Sequence, residues 1–272
     1  MRRVTIIVGA VVVVAAAVGA FVLWPRGATP VAHDDAVEQF RSQSTTTDPD
    51  ADAGSDRSTP AAGAYRYAAE GDETVKFAVL PAETRTLAES VSGVVVDVAT
   101  PGSASGRCFE LTMHLFAEHV EHTVICADDS SVSLGGHTKE QTIGALSPVA
   151  TLSCAKGVLL DPSEDATTPV SHPLECSMTV DGGPAAITVD LAGTSTQSAP
   201  TNRQVGGESV EAVPVELTFT ASGGLTGTWV ERWWLSTEDW LPVEMERALD
   251  LQGPASFVER SSFVLEDLVP TT

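Results

Sequence analysis

The sequence predicts an all-β fold: an antiparallel, strongly curved sheet or half-barrel that carries two disulfides and follows one N-terminal transmembrane helix. Three observations predict it. From about Ala64 onward, short runs of β-branched and aromatic residues alternate with polar residues, and Gly, Pro, Asp and Ser separate the runs. A charge-free apolar stretch spans Val4–Trp24. All four cysteines lie beyond that stretch.

The apolar stretch Val4–Trp24 has 21 residues and would form a helix of about 31 Å. This length matches a hydrocarbon core of about 30 Å. Arg2 and Arg3 precede it and an acidic segment follows it, so the positive-inside rule places the N-terminus in the cytoplasm and the rest of the chain outside. We therefore expect residues 1–26 to form a cytoplasmic tip and a single-pass anchor in the cell membrane. Cleavage after Ala20, as in a signal peptide, is the alternative.

Residues 27–60 are rich in Pro, Ser, Thr, Asp and Ala and contain few large apolar side chains. Such a segment buries too little surface to offset its ordering entropy, so the sequence predicts a disordered acidic linker. A short helix around Asp34–Ser42 is compatible with the two aspartates at its start. The aspartates of 48–56 alternate as in a Ca²⁺ loop, but the required Gly and final Glu are missing, and we interpret them as a solvated spacer.

Residues 61–272 are predicted to form the extracytoplasmic β-rich domain. The segments Ser130–Ser147 and Ala155–His172 lack a clear alternation and are predicted to be long loops. The predicted strands are Ala64–Ala68, Thr74–Leu80, Val91–Ala99, Arg107–Phe116, Val120–Ala127, Pro148–Cys154, Leu174–Val180, Ala185–Leu191, Val210–Ala221, Thr226–Leu235, Val243–Leu251 and Ser256–Glu266.

The cysteines predict two disulfides. Pairing Cys108 with Cys126 across a hairpin places them directly opposite each other, with Glu110 facing Val124 and His114 facing Val120. We favour the second bridge between Cys154 and Cys176, although four cysteines allow three connectivities. A Cys₄ zinc site is the metal alternative, but the C-x₂-C spacing is absent. Disulfides indicate an oxidising compartment.

Tryptophans cluster in the C-terminal strands. By alternation, Trp229 and Trp233 share one face and Trp234 points to the other. Three interpretations stay open: packing in the core, lining of a hollow for lipid or another apolar ligand, and a platform for carbohydrate or a protein partner. Trp229 and Trp233 are the candidate apolar-ligand face.

Histidines and acids concentrate around the β-hairpin of Cys108. His114 and His122 fall on one face near Glu110, whereas His119 lies at the hairpin tip between Glu118 and Glu121. A His/His/carboxylate metal site is one interpretation, and ordinary strand histidines without a metal are the interpretation we prefer.

No nucleophile motif is present, and the Gly-rich Ser222–Gly227 suits a hairpin turn. We assign no catalytic residue, no metal ligand and no cofactor, and we do not expect an enzyme.

The net charge is strongly negative. The chain has 15 basic and 37 acidic side chains, a formal charge of −22. Such a surface repels phosphate backbones and anionic lipid headgroups, so a nucleic-acid partner is excluded.

Several segments together resemble an uncharacterised family of single-pass membrane proteins from actinobacteria. They are Gly63-x-Tyr65-x-Tyr67…Gly71-x-Glu73, Pro81-x-Glu83-Thr84, Cys108…His119-x-Glu121…Cys126, Cys154 with Cys176, Trp233-Trp234-Leu235…Leu241-Pro242-Val243 and Leu265…Leu268-Val269-Pro270. The C-terminal strands are also similar to the LolA and LppX-like lipoprotein-carrier superfamily, with Trp240-Leu241-Pro242 where that superfamily has Gly-Leu-Pro. The second resemblance implies an unclosed, curved sheet with an apolar hollow for acyl chains.

Three functions follow as hypotheses. The first is an extracytoplasmic interaction or structural module that the linker holds off the membrane, with an envelope protein or the cell wall as partner. The second is a tethered protein that binds lipid or another apolar ligand in a LolA-like half-barrel. The third is an unrecognised envelope enzyme.

Overall fold

The structure is a computed structural model, and it describes residues 28–44, 59–77, 81–101, 104–164, 167–183 and 185–272. The predicted anchor Val4–Trp24 lies outside these residues. Within the described ranges, no helix is long and apolar enough to cross a membrane.

One helix and fifteen strands form the described part of the chain. They are α1 His33–Ser44, β1 Gly63–Phe77, β2 Glu83–Thr86, β3 Ser90–Val98, β4 Arg107–Phe116, β5 His119–Ala127, β6 Val132–Gln141, β7 Val149–Lys156, β8 Val158–Leu160, β9 Val170–Asp181, β10 Ile187–Gln197, β11 Thr201–Val205, β12 Glu208–Gly223, β13 Thr226–Ser236, β14 Pro242–Gln252 and β15 Ala255–Leu265.

All strand pairs are antiparallel, which confirms the predicted all-β class. The strands follow the order β10-β9-β7-β6-β5-β4-β3-β1-β15-β14-β13-β12, and β10 also pairs with β12. That last pairing runs from Val189 opposite Gly223 to Gln197 opposite Val215 and closes the sheet. The predicted half-barrel is therefore wrong: the sheet is a closed barrel of twelve strands, because β10 and β12 satisfy each other's backbone groups instead of leaving two free edges.

Both predicted disulfides are confirmed. Cys108–Cys126 joins β4 to β5, and Cys154–Cys176 joins β7 to β9. The predicted register of the first hairpin is also confirmed, since Glu110 faces Val124.

Strand β6 is the main error of the sequence analysis, because it occupies the predicted loop Ser130–Ser147. Its inward side chains near the end of the strand are His137, Lys139 and Gln141, so the usual apolar alternation is missing there. Two hydrogen-bonded neighbours, β5 and β7, hold it in the sheet in spite of that pattern. The short strands β2, β8 and β11 were missed as well, and β8 lies in the predicted loop Ala155–His172.

The barrel interior changes character along its axis. On β15, for example, Leu265 and Phe263 lie in an apolar core at one end of the barrel. Further along the same inward face come the charged Glu259 and, near the other end, the apolar Phe257. Strand β14 repeats this order with Met245, Arg247 and Leu251. The apolar core fills the end that carries the β3–β4 and β13–β14 connections, where the hydroxyl of Tyr67 donates to the Pro242 carbonyl at 3.0 Å. The opposite end, which we call the mouth, carries the β6–β7, β9–β10, β12–β13 and β14–β15 connections.

Helix α1 packs on the outer face of the barrel. Ala36, Val37 and Phe40 form a small apolar cluster with Ala64 of β1 and Val94 of β3. Polar contacts fix the helix as well: Nδ1 of His33 lies 3.0 Å from the Ser92 hydroxyl, and Arg41 donates to the carbonyl of Thr272 at 2.8 Å. The short helix expected near Asp34–Ser42 is therefore confirmed, within a stretch that we expected to be linker. Residues 45–58 lie outside the described ranges.

Candidate ligand-binding site

A concave pocket opens at the mouth of the barrel, and we call it the mouth pocket. It encloses about 600 Å³ of empty space, part of it continuous with solvent. Most of its walls are apolar side chains from strand ends and from the connections between strands, including Val75, Ile143, Met178, Val180, Leu225 and Leu251. The rings of Trp229 and Phe257 complete the apolar lining, and Lys139, Gln141 and Ser256 are its polar members.

A layer of buried charge separates the mouth pocket from the apolar core. We call this layer the charged belt, and it consists of Glu73, Arg85, His119, Glu121, Lys139, Glu231, Arg247 and Glu259. Each of these residues is at most 8% exposed. Since charged residues are almost never buried without partners, this burial requires that they pair with one another.

Lys139 belongs to both the belt and the pocket. Its Nζ lies 2.6 Å from Glu121 Oε1 and 3.3 Å from Glu259 Oε2, and 5.4 and 5.3 Å from the ring centres of Trp229 and Phe257. Burial alone would lower the pKa of Lys139, but Glu121 and Glu259 more than reverse this and raise it. Lys139 is therefore an ammonium held by two carboxylates and two aromatic rings.

His119 links two carboxylates of the belt. Its Nδ1 lies 2.7 Å from Glu73 Oε2 and its Nε2 lies 3.1 Å from Glu121 Oε1. Burial would lower the pKa of His119, but the charge of Glu73 and the hydrogen bonds to both carboxylates raise it to about 9. The charges of these two nearby carboxylates therefore favour the imidazolium form of His119.

Arg247 and Glu231 connect the belt to the tryptophans. Arg247 pairs with Glu121 and lies 3.7 Å from both Glu231 and Glu259. Burial alone would raise the pKa of Glu121, but Arg247 and Lys139 hold it well below its usual value. The indole N–H groups of Trp229 and Trp233 donate to the two oxygens of Glu231 at 2.8 and 2.7 Å.

These contacts settle where the predicted tryptophan face lies. Trp229 and Trp233 share one strand face, as predicted, and that face is the barrel interior, but of the two only Trp229 lines the mouth pocket. Trp233 lies below it beside a second, smaller cavity of about 260 Å³. Trp234 lies on the outer face, as predicted, with the guanidinium of Arg203 4.2 Å from its ring centre.

Arg85 of β2 extends the belt to the barrel wall. Its guanidinium contacts Glu83 at 2.9 Å and Glu73 at 3.4 Å and donates to the Thr142 carbonyl at 2.8 Å. Strand β2 pairs with the end of β1 and places Glu73 opposite Arg85. The short strand thus supplies the counter-charge that Glu73 needs on that side.

The histidines weighed as metal ligands do not converge. His122 lies on the outer face with its Nδ1 3.0 Å from Glu110 Oε1, and His114 is on the same strand face. His119 and Glu121 point into the barrel, and Glu118 accepts a hydrogen bond from the Thr29 backbone outside it. No group of three or more His, Cys, Asp or Glu side chains among the described residues is arranged to hold a metal ion.

The charged belt is the feature that the sequence analysis missed. A signal for it exists, because Glu231 stands between Trp229 and Trp233 on one strand face, and Arg247 between Met245 and Leu249 on another. A charged residue at an inward position of an otherwise apolar strand face indicates a buried partner of opposite charge.

The chain matches no protein-family model, no curated protein and no solved structure. The resemblances to the actinobacterial family and to the lipoprotein-carrier superfamily stay predictions, and function has to be argued from the site itself.

Proposed function

We propose that this protein binds an apolar small molecule, such as a lipid chain, in the mouth pocket of its barrel. In this proposal the predicted helix Val4–Trp24 anchors the protein to a membrane, and the barrel lies on the outer side of that membrane. The observation that carries the proposal is the apolar, concave pocket left open above the charged belt.

The charged belt supports a functional interpretation of this end of the barrel. A buried ion network is rarely the most stable way to fill a protein interior, since apolar side chains of similar volume are often equal or better. Departures from simple packing tend to occur where function requires them. Here the belt forms a floor of mutually paired charges, so that the apolar core ends below it and the pocket stays open above it.

The outer surface supports the interaction-module hypothesis less well. In the described ranges, the exposed large hydrophobic residues are Val264 at 39% and Val269 at 77% exposure. Two such residues do not make an apolar patch of the kind that marks protein interfaces. The mouth pocket, in contrast, gathers apolar side chains from several strands into one concave surface.

The disulfides support the proposed location. Two bridges, Cys108–Cys126 and Cys154–Cys176, form and persist in oxidising compartments such as the space outside the cytoplasmic membrane. A tether to that membrane would keep the pocket close to a supply of lipid.

The test is photolabelling of the full chain in zwitterionic lipid nanodiscs with an alkyl diazirine, followed by mapping of the labelled peptides. We expect label on the strand ends that line the mouth pocket. Ala255→Trp places an indole at a half-buried lining position and should abolish that label. Ala199→Trp makes the same change at an exposed loop position and should leave it unchanged. Equal pocket labelling in both variants, or label on outer-face residues alone, would contradict the proposal and favour the interaction module.

A further inference from the structure

The charge balance of the pocket floor determines which apolar ligands fit. The belt contains four carboxylates, Glu73, Glu121, Glu231 and Glu259, and four cations, Arg85, His119, Lys139 and Arg247. Glu83, which pairs with Arg85, adds one further negative charge at the wall. Each of the four cations of the belt therefore already has a carboxylate partner within the belt.

Lys139 is the belt cation that lines the mouth pocket, and its contacts show how little charge it can offer to a ligand. An ammonium has three N–H donors, and Glu121 and Glu259 take two of them. The remaining donor can serve one ligand oxygen. The charge of Lys139, however, is already compensated by Glu121 and Glu259 together. A ligand carboxylate or phosphate at this point would lose its hydration without gaining a free counter-ion.

Gln141 lies beside Lys139 in the pocket lining and is itself uncharged. Its side-chain amide lies 3.5 Å from Glu73 Oε2. The polar lining thus offers hydrogen bonds without net charge.

From this balance we propose, resting on the function proposed above, that the mouth pocket selects neutral lipids with a single hydrogen-bonding oxygen at one end, such as long-chain alcohols, over anionic lipids such as fatty acids. The alkyl chain lies against the apolar walls, and the oxygen accepts a hydrogen bond from Lys139. The overall charge of −22 acts in the same direction by repelling anions.

The test uses a matched pair of photoreactive probes, a long-chain alcohol and the carboxylate of the same chain, at equal amounts in zwitterionic nanodiscs that hold the full chain near neutral pH. We expect the alcohol to label the mouth-pocket peptides at least about tenfold more than the acid. Glu259→Gln removes one negative charge beside Lys139 and should bring this ratio down toward one. The control Glu70→Gln removes the same charge from an exposed position of β1 and should leave the ratio unchanged.

Acid labelling equal to or above alcohol labelling at the wild-type pocket would overturn this inference and leave the proposed function standing. If neither probe labelled the pocket peptides, the proposed function would fail and the inference with it. If Glu259→Gln did not fold, the wild-type ratio alone would decide.

Discussion

Lys139 and Glu121 form an ion pair of 2.6 Å in the interior of the barrel, directly beneath the mouth pocket. Neither residue is more than 8% exposed. Glu121 also contacts His119 and Arg247, so three cations share one carboxylate. The pair therefore connects the floor of the proposed ligand site to the whole charged belt.

Loss of the Glu121 charge should be strongly destabilising. Glu121→Gln leaves Lys139 and Arg247 buried with one counter-charge fewer, and breaking a buried pair costs about 3–5 kcal/mol. The matched control is Glu175→Gln, because Glu175 pairs with Lys156 at the same 2.6 Å but both side chains are more than half exposed. The control should cost less than about 1 kcal/mol. Urea unfolding measures both, and equal losses would show that the belt is not tightly coupled.

Stability should fall at alkaline pH because of His119. Its pKa is raised to about 9 in the folded protein from 6.5, the value taken for the unfolded chain. The stabilisation is therefore complete below about pH 6.5 and is lost as the pH rises through about 9, with a total of about 3 kcal/mol. Melting temperatures across this range check the prediction in the wild type and in His119→Gln. An alkaline fall of the same size in the variant would assign the effect to another group.

The two disulfides should contribute similar amounts through the unfolded chain. They join residues 18 and 22 positions apart, which corresponds to about 3 kcal/mol each in the loop-entropy model. Cys154→Ala with Cys176→Ala should lower the free energy of unfolding by this amount, and so should the pair of changes at Cys108 and Cys126. A loss well below about 1 kcal/mol for either pair would mean that the reduced unfolded chain already holds those strands close together.

Helix α1 should protect the outer face of β1 and β3. Phe40→Ala removes the largest side chain of the cluster with Ala64 and Val94 and should cost about 3 kcal/mol of docking. Hydrogen exchange of the α1 amides should then become faster. Val269→Ala, at a residue that is 77% exposed, serves as control and should change nothing. Unchanged exchange in Phe40→Ala would show that His33 and Arg41 hold the helix by themselves.

Trp240 occupies a backbone conformation that glycine prefers. It has φ 66° yet is 4% exposed, in the connection between β13 and β14. Both Trp240→Gly and Trp240→Ala lose the packing of a buried tryptophan, about 3–5 kcal/mol. Only glycine removes the strain of the positive φ, so Trp240→Gly should be about 1 kcal/mol more stable than Trp240→Ala. Thermal unfolding compares the two, and the reverse order would mean that the strain is negligible.

The sequence predicted the strands whose inward residues are apolar and failed where they are charged. Strand β4, with Phe109, Leu111 and Met113 on one face, was predicted with its observed bounds. Strand β6 was predicted as a loop because Lys139 and Gln141 stand where apolar residues were expected.

Closure of the barrel could not be predicted from the sequence, since the pairing of β10 with β12 depends on backbone groups rather than on side-chain pattern. One part of the candidate site was predicted and another was missed. The inward face of Trp229 and Trp233 was found by alternation, but their shared partner Glu231 was not. Partners of buried charges come from strands distant in sequence, such as β15 for Lys139 and β5 for Arg247, and only the fold brings them together.

Native mass spectrometry of the full chain, taken from the membranes of the organism that makes it into nanodiscs, tests the central claim most directly. The account predicts a bound neutral species of lipid mass in the wild type and in Ala199→Trp, which is lost in Ala255→Trp. A mass without ligand in all three proteins, lighter than the sequence only by the hydrogens of two disulfides, would contradict it.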